Sequence, residues 1–345
     1  MINYKRIFRY VLAAVAALGT VALLIFLATN SGRQYEGTLN VLNWTSYIPM
    51  DVIYDFENEY HIKVNYLTYS SNEELIAKIT SSNEGTYDVI FPSDYAVSLL
   101  KSRDLITKID TSKLENFRNL DTRFLGQPYD ARNEYFLPFL LATTVIAYDK
   151  EKKANLNSYR DLFDTEFSND LILLDDQRVI IGAMLNTLGY SINDTDDKHL
   201  AESLELFDTL RPNIKAFDSD SPKTFFITDE VGAGIVWSAE AILAKKSRPT
   251  LEIVYPEEGF VISMDNYCIT KNAKNEANAY LFIDYLLRDE VSRRIVEEYP
   301  YISPNMAINS EYDADELDEI FGRGTYIENL GGGIKKYDRL WAQYK

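Results

Sequence analysis

Cysteine and histidine are nearly absent: Cys268 is the one cysteine in 345 residues, and His61 and His199 are the two histidines. A single thiol excludes an intramolecular disulfide and a cysteine-built zinc cluster. A metal centre would have to rest on carboxylates, and a Ser-His-Asp triad would have to use a histidine from a polar, undistinguished context. Both histidines read as surface residues, and neither a metal nor a cofactor is expected. Positive charge is also scarce. Against 53 Asp and Glu there are 35 Lys and Arg, for a formal net charge of −18. A surface of that sign repels a polyanion, which excludes nucleic acid as a partner, and it concentrates small cations. The bland consequence of the same charge is solubility. No internal repeat or low-complexity tract is evident.

Tyrosine, by contrast, is plentiful, with 25 copies beside 17 Phe and 3 Trp. Rings with polar tips serve either a core or a groove that grips a ligand. With 46% apolar and 26% charged residues the body has an ordinary globular composition. Its length exceeds one hydrophobic core, so two domains are expected.

Tyr10 to Thr29 carries no charge, and Val11 to Ala28 is almost wholly Ala, Leu, Val, Ile and Phe. About 20 such residues cross a bilayer as a helix. Lys5, Arg6 and Arg9 precede the run, which by the positive-inside rule keeps the N-terminus in the cytoplasm. The expectation is a cytoplasmic basic flank over 1–9, a retained transmembrane anchor over 10–29, a polar linker over 30–37 and an extracellular body. Ala28-Thr29-Asn30-Ser31 offers small residues for cleavage, but the apolar run is longer than a signal-peptide core of about 7 to 15 residues. No cysteine follows closely, which excludes a lipid anchor there.

Beyond the linker, strand and helix patterns alternate, the rhythm of α/β domains with largely parallel sheets. Strands are expected over Thr38–Trp44, Ile62–Tyr66, Tyr87–Phe91, Thr143–Tyr148, near Leu171, over Val231–Trp237, Phe260–Ser263 and Tyr267–Thr270. Helices are expected over Met50–Tyr60, after the capping box of Ser71 and Glu74, after Pro92-Ser93, from about Val179, near His199–Leu210 and over Ala277–Leu287. Ile334, Tyr337, Leu340 or Trp341, and Tyr344 recur at helical spacing, so the C-terminus is expected to dock as a helix.

Aromatic and acidic residues collect just after the expected strands, where open α/β sheets place ligands. They are Trp44, Thr45 and Tyr47, then Ser93 and Tyr95, Asp175 and Asp176, Trp237 and Glu240, and Asp265. An alkyl diamine needs carboxylates for its ammonium ends and flat apolar faces for its methylenes. Taken singly each signal has a plainer reading: a tryptophan after a strand packs a core, and Asp175-Asp176 caps a helix.

The ordered run of Asn43-Trp44-Thr45-Ser46-Tyr47, Tyr87-Asp88-Val89, Pro92-Ser93-Asp94-Tyr95, Asp175-Asp176 with Arg178, Leu188-Gly189-Tyr190-Ser191, Met264-Asp265, and Tyr301 with Pro304-Asn305 resembles the spermidine/putrescine-binding proteins of bacterial ABC importers. The resemblance covers nearly the whole chain after the linker. It implies an α/β, two-lobed periplasmic-binding-protein-like fold with crossing hinge strands near Leu140–Ala147 and Gly259–Met264. Lobe 1 would comprise 38–142 with 264–309, and lobe 2 would comprise 143–263 with 310–345. It further implies a monomer that captures a linear polyamine and delivers it to ABC permease subunits served by a cytoplasmic ATPase, with no covalent chemistry. Trp44, Tyr47, Tyr95, Trp237 and Tyr301 would form aromatic walls, Thr45 and Ser93 would hydrogen-bond, and Asp176 and Asp265 would hold ammonium groups. Two departures matter. Val179 stands where the spermidine-type pattern has a Glu, and Ser263 where it has a Trp. Glu240, which looks like an acid of the putrescine-type relatives, is expected to make up the lost charge. Other readings are a different solute (an amino acid, sugar, iron or an aminophosphonate), a ligand-sensing receptor, and a secreted hydrolase using Asp176 and Asp265 as acid and base. An anionic solute would want Arg or Lys in the cleft, and Arg178 is the cation these segments offer.

Overall fold

Two short apolar patterns set the first sheet. β1 (Gly37–Trp44) runs parallel to β2 (Ile62–Tyr69), with Gly37 opposite Ile62 and Trp44 opposite Tyr69, and parallel to β3 (Val89–Ile90) on its other edge. The computed structural model describes residues 35–345 apart from 128, 154 and 310–313. The expected basic flank, the apolar run Tyr10–Thr29 and most of the linker lie outside the described residues. Among the described residues no helix is long and apolar enough to cross a membrane.

Neighbouring residues of each strand feed different cores, because successive side chains point to opposite faces of a sheet. Val41, Val89 and Ile269 pack with Phe56, Phe139 and Phe282 on one side, whereas Leu42, Ile90 and Cys268 pack with Leu75 and Val97 on the other. The helices that cover these faces are α1 (Met50–Tyr60), α2 (Asn72–Ser81) and α3 (Asp94–Ser102). The second lobe repeats the scheme. Ile146, Leu171, Leu173 and Ile235 face α4 (Gln177–Thr187) and α5 (Asp197–Leu210), while Val145, Ile172 and Val236 face the opposite core with Phe226 and Ala241.

What joins the lobes is a pair of long antiparallel strands. β4 (Leu137–Asp149) is buried along its whole length, as its nearly unbroken apolar sequence requires of a strand covered on both faces. Its first half pairs with β9 (Phe260–Ile269), with Leu140 opposite Asp265 and Ala142 opposite Ser263. Its second half pairs with β7 (Ala233–Trp237) and β8 (Leu251–Val254). β5 (Leu171–Leu173) and β6 (Ile214–Phe217) extend the second lobe, and β10 (Gly324–Tyr326) adds to β9. The resulting order is β2-β1-β3-β9-β4-β7-β5-β6. Pro138, which lacks a ladder donor, sits where the β4–β9 register shifts.

Several local expectations change. The strands expected over Phe260–Ser263 and Tyr267–Thr270 are one strand, because Asp265 and Asn266 stay in the ladder. Asn266 Nδ2 donates to Met264 O at 2.7 Å and its backbone N–H donates to Pro92 O at 3.0 Å, while its buried Oδ1 has no partner among the described residues. Ser71 caps α2 by accepting from the Glu74 N–H at 3.1 Å, but the Glu74 carboxylate reaches Ser70, at 2.9 Å from its N–H, and not Ser71. β2 runs on to Tyr69, so Ser70 carries the first amide past the strand. The third strand is shorter than expected, Val89–Ile90, since Asp88 turns its carboxylate inward to accept from the backbone and side chain of both Asn40 and Asn275. α6 (Lys223–Ile227) and α7 (Ser238–Ser247) lie beside the cleft, and α8 (Glu276–Leu286) packs on the first lobe's core through Phe282 and Ile283. The C-terminal helix α9 (Ile334–Tyr344) docks on the second lobe through Tyr337, Leu340 and Tyr344, with the Tyr344 ring stacked on Phe207 at 3.9 Å.

Candidate functional site

The C-terminal ends of β1, β3, β5 and β7 open on one cavity of about 400 Å³ between the lobes. Every residue singled out from the sequence lines it: Trp44, Thr45, Tyr47, Ser93 and Tyr95 from the first lobe, Asp176, Trp237 and Glu240 from the second, and Asp265 and Tyr301 from the joining region. The volume suits a small organic molecule.

Asp265 is the deepest acid. It lies mid-strand in β9, 4% exposed, where it accepts from Ser93 Oγ and from Tyr47 OH, each at 2.6 Å. No cation pairs with it among the described residues. Burial raises its pKa to about 6, against the lowering effect of the Ser93 and Tyr47 hydroxyls and the Trp44 indole. Burial and this neighbouring carboxylate also push the Tyr47 phenol up, so it stays a donor.

The rings form a connected wall. Tyr47 lies 5.0 Å from Tyr301, 6.0 Å from Phe139 and 6.4 Å from Trp44, between ring centroids. Trp44 is held against Tyr69 at 4.5 Å and donates its indole N–H to Phe91 O at 2.9 Å. Just before Tyr47, Ser46 takes the left-handed backbone region (φ 57°), which lets the chain turn sharply from β1 so that Tyr47 re-enters the wall. Trp237 packs against apolar clusters of both lobes, and Tyr95, carried by α3 of the first lobe, packs against the second lobe's core. These rings therefore span the junction. Thr45 is exposed at the rim.

Asp176 unites the two readings open to it. Its Oδ1 caps α4, accepting from the N–H groups of Arg178 at 2.8 Å and Val179 at 3.1 Å, while Oδ2 takes no partner among the described residues. Burial raises its pKa, the capping N–H groups lower it, and the Glu73 charge raises it further. Glu240 differs from expectation. It lines the cavity, yet both of its oxygens are held at 2.8 Å by Lys223 Nζ, so a cation of the protein already balances the charge it was to supply. Arg178 is buried, donating to Glu328 O at 3.0 Å and to Asn193 Oδ1 at 2.7 Å, and its guanidinium lies over the Tyr337 ring. It fastens the C-terminal segment to the second lobe. Val179 is fully buried in that lobe's core, and Ser263 faces the cavity with no ring to offer.

Sequence reasoning missed Glu73, Asp220 and Trp341, which also line the cavity. Glu73 follows the end of β2 and accepts from Tyr95 OH at 3.1 Å, so the strand-end rule applied to β2 would have found it. Nothing local marks Trp341, which reaches the cavity because α9 folds back over it, with Lys345 paired to Asp175 at its end. Among the described residues no group of three His, Cys, Asp or Glu is placed to hold a metal ion. A larger hollow of about 620 Å³ elsewhere has two of its lining cations already paired, Arg288 with Glu59 and Lys113 with Glu276.

Two α/β lobes, two joining strands and a ring-lined cavity between them define a substrate-binding protein of the periplasmic-binding-protein fold. The chain belongs to the bacterial extracellular solute-binding protein family, whose profile matches residues 51–317. It is 38% identical to the spermidine/putrescine-binding periplasmic protein of Salmonella typhimurium over 99% of both chains. It is 30% identical to a putrescine-binding periplasmic protein of Escherichia coli over 79% of each. Among solved structures, the spermidine/putrescine ABC transporter substrate-binding protein of Streptococcus pneumoniae superposes with a TM-score of 0.77 at 31% identity, covering 90% of this chain and 98% of that one. Proteins of this family are non-enzymatic substrate-binding components of ABC transporters. The reading of Asp176 and Asp265 as hydrolytic acid and base is thereby withdrawn, and the capping of α4 by Asp176 gives that carboxylate a structural task instead.

Proposed function

We propose that this protein captures a linear polyamine, putrescine or spermidine, in the cavity between its lobes and hands it to the permease subunits of an ABC importer. The carrying observation is Asp265. A buried carboxylate keeps its charge at lowest cost when that charge is met, and here hydroxyl donors from Ser93 and Tyr47 meet it but no cation does among the described residues. An alkylammonium entering the cavity supplies the missing charge. Tyr47, Tyr301, Trp44 and Trp237 offer ring faces to its methylenes and to the ammonium itself, each worth about 0.5 to 2 kcal/mol. Asp176 Oδ2 takes the other end, and Tyr95, Thr45 and Ser93 complete the polar rim. The lobe boundaries fall at Ala142/Thr143 and Ser263/Met264, where β4 and β9 lie side by side, and rotation about those strands opens the cavity. The apolar run 10–29 tethers the protein, as a monomer, to the outer face of the membrane.

The names of the relatives support the polyamine reading, and so does the engagement of both terminal nitrogens of Arg178, the guanidinium in the cavity wall, by Glu328 O and Asn193 Oδ1 rather than by an anionic solute. Isothermal titration of the full chain in mild detergent with putrescine, cadaverine, spermidine and spermine tests it. Saturable binding of at least one amine, with glutamate and glucose inert, is the expected result. Equal indifference to all four amines would end the proposal.

A further inference from the structure

Lysine is itself an alkylammonium, with the same run of methylenes and the same charged tip as one end of a polyamine. In this protein the Lys223 tip lies in the fork of the Glu240 carboxylate, 2.8 Å from each oxygen. Lys223 opens α6, directly after the loop whose Ser219 and Asp220 line the cavity, and Glu240 reaches the cavity from α7. The side chains are 28% and 11% exposed, so the pair is mostly withdrawn from water and each charge needs the other.

We propose that Lys223 is a tethered ammonium that permanently fills the Glu240 position and thereby limits the cleft to ligands with two charged ends. This rests on the polyamine reading above. A second cation approaching Glu240 meets attraction from the carboxylate and repulsion of similar size from Lys223, so the position gives it no net hold. Of the acids that line the cavity, Asp265 and the Oδ2 of Asp176 are the ones largely withdrawn from solvent and without a cation among the described residues, whereas Glu73 and Asp220 are exposed and Asp175 pairs with Lys345. Val179, buried where a further acid could have stood, adds none. Two anionic positions little screened by water, with a ring-lined channel between them, match a diamine. The third ammonium of spermidine would be left against Lys223 or against the exposed Glu73 and Asp220, where water screens the attraction.

The test is a thermodynamic cycle on the full chain, with putrescine and spermidine titrated calorimetrically into wild type, K223M and K223M/E240Q. Wild type should prefer putrescine. In K223M the Glu240 carboxylate becomes available, and spermidine should bind at least about tenfold more tightly while putrescine changes by less than about threefold. The added E240Q should abolish that gain. Thermal melts verify folding, and K223Q takes the place of K223M if the methionine variant is not folded. Equal strengthening of both amines, or no change in either, overturns the role of Lys223 while leaving polyamine binding in place. Wild type that binds neither amine overturns the polyamine reading itself.

Discussion

The Ser93 hydroxyl donates to the Asp265 carboxylate across 2.6 Å, joining residues 172 positions apart in the chain. Ser93 lies at the N-terminus of α3 and Asp265 in the middle of β9, and an isolated antiparallel bridge between their backbones holds the two side chains in register. The acid is thus presented to the cavity by rigid backbone, with its lone pairs partly taken and its charge unbalanced. Such an arrangement serves a ligand better than it serves the fold.

That asymmetry has a measurable cost. Burial raises Asp265 from 3.8 to about 6, so between those values the folded state holds a proton that the unfolded chain has released. Stability contributed by this group therefore falls as pH rises from about 4 to about 6, by about 3 kcal/mol in all. Asp265→Asn removes the charge. Its ligand-free melting temperature at pH 7.5 should equal or exceed that of wild type, while amine affinity falls more than about tenfold, because one buried ammonium loses its charged partner. Calorimetric melting and titration of the same sample check both halves, and an unchanged dissociation constant removes Asp265 from the site.

Amine binding should itself depend on pH. An ammonium favours the ionised carboxylate, so the affinity should be flat above pH about 6 and fall below it as protonated Asp265 predominates. Binding near pH 5.5 should release protons to buffer, seen as a dependence of the measured heat on buffer ionisation enthalpy. A constant affinity from pH 5 to 8 contradicts this.

Trp237 is half-buried at the cavity and packs on the clusters of both lobes. Trp237→Ala should weaken amine binding by about five- to thirtyfold, the loss of a strong cation–π face of about 1 to 2 kcal/mol. Trp237→Phe should recover part of it. If the alanine variant binds as well as wild type, the ring belongs to the core only.

Asp88 should behave in the opposite way. Its buried carboxylate ties Asn40 in β1 to Asn275 at the start of α8, far from any ligand role. Asp88→Ala leaves those donors unmet and should destabilise the fold by about 3 to 5 kcal/mol, with the surviving folded fraction binding amine normally. Denaturant titration with and without ligand separates the two effects.

Much of the fold can be read in one dimension because it is driven by local periodicity. Met50–Tyr60 forms as a helix over the expected residues, and the strand beginning at Thr38 differs from β1 by one residue, since an apolar stripe or alternation fixes which face is buried. Reading fails where long-range pairing overrides local polarity. Asp265-Asn266 looks like a break in a strand, yet the facing Leu140 and Pro138 of β4 keep both in the ladder. Trp44, Thr45, Tyr47, Ser93, Tyr95, Asp176, Trp237 and Glu240 were found by a rule about strand ends, and the cavity gathers them because parallel strands deliver their C-terminal ends to one side of a sheet, whereas Asp265 sits mid-strand in the antiparallel β9 and Tyr301 was reached through the family resemblance.

Residue types and their order were enough to exclude an intramolecular disulfide and a metal cluster built on cysteine, and to mark the acids and rings that meet between the lobes. They could not say which acids still have charge to offer. Asp265 and Glu240 are both carboxylates placed after strand patterns, but one meets hydroxyls and an indole with no cation among the described residues, and the other is clasped by Lys223, which is 17 residues away in sequence. Charge balance in a buried site depends on distances of a few ångströms between distant segments, and those distances exist only once the chain has folded.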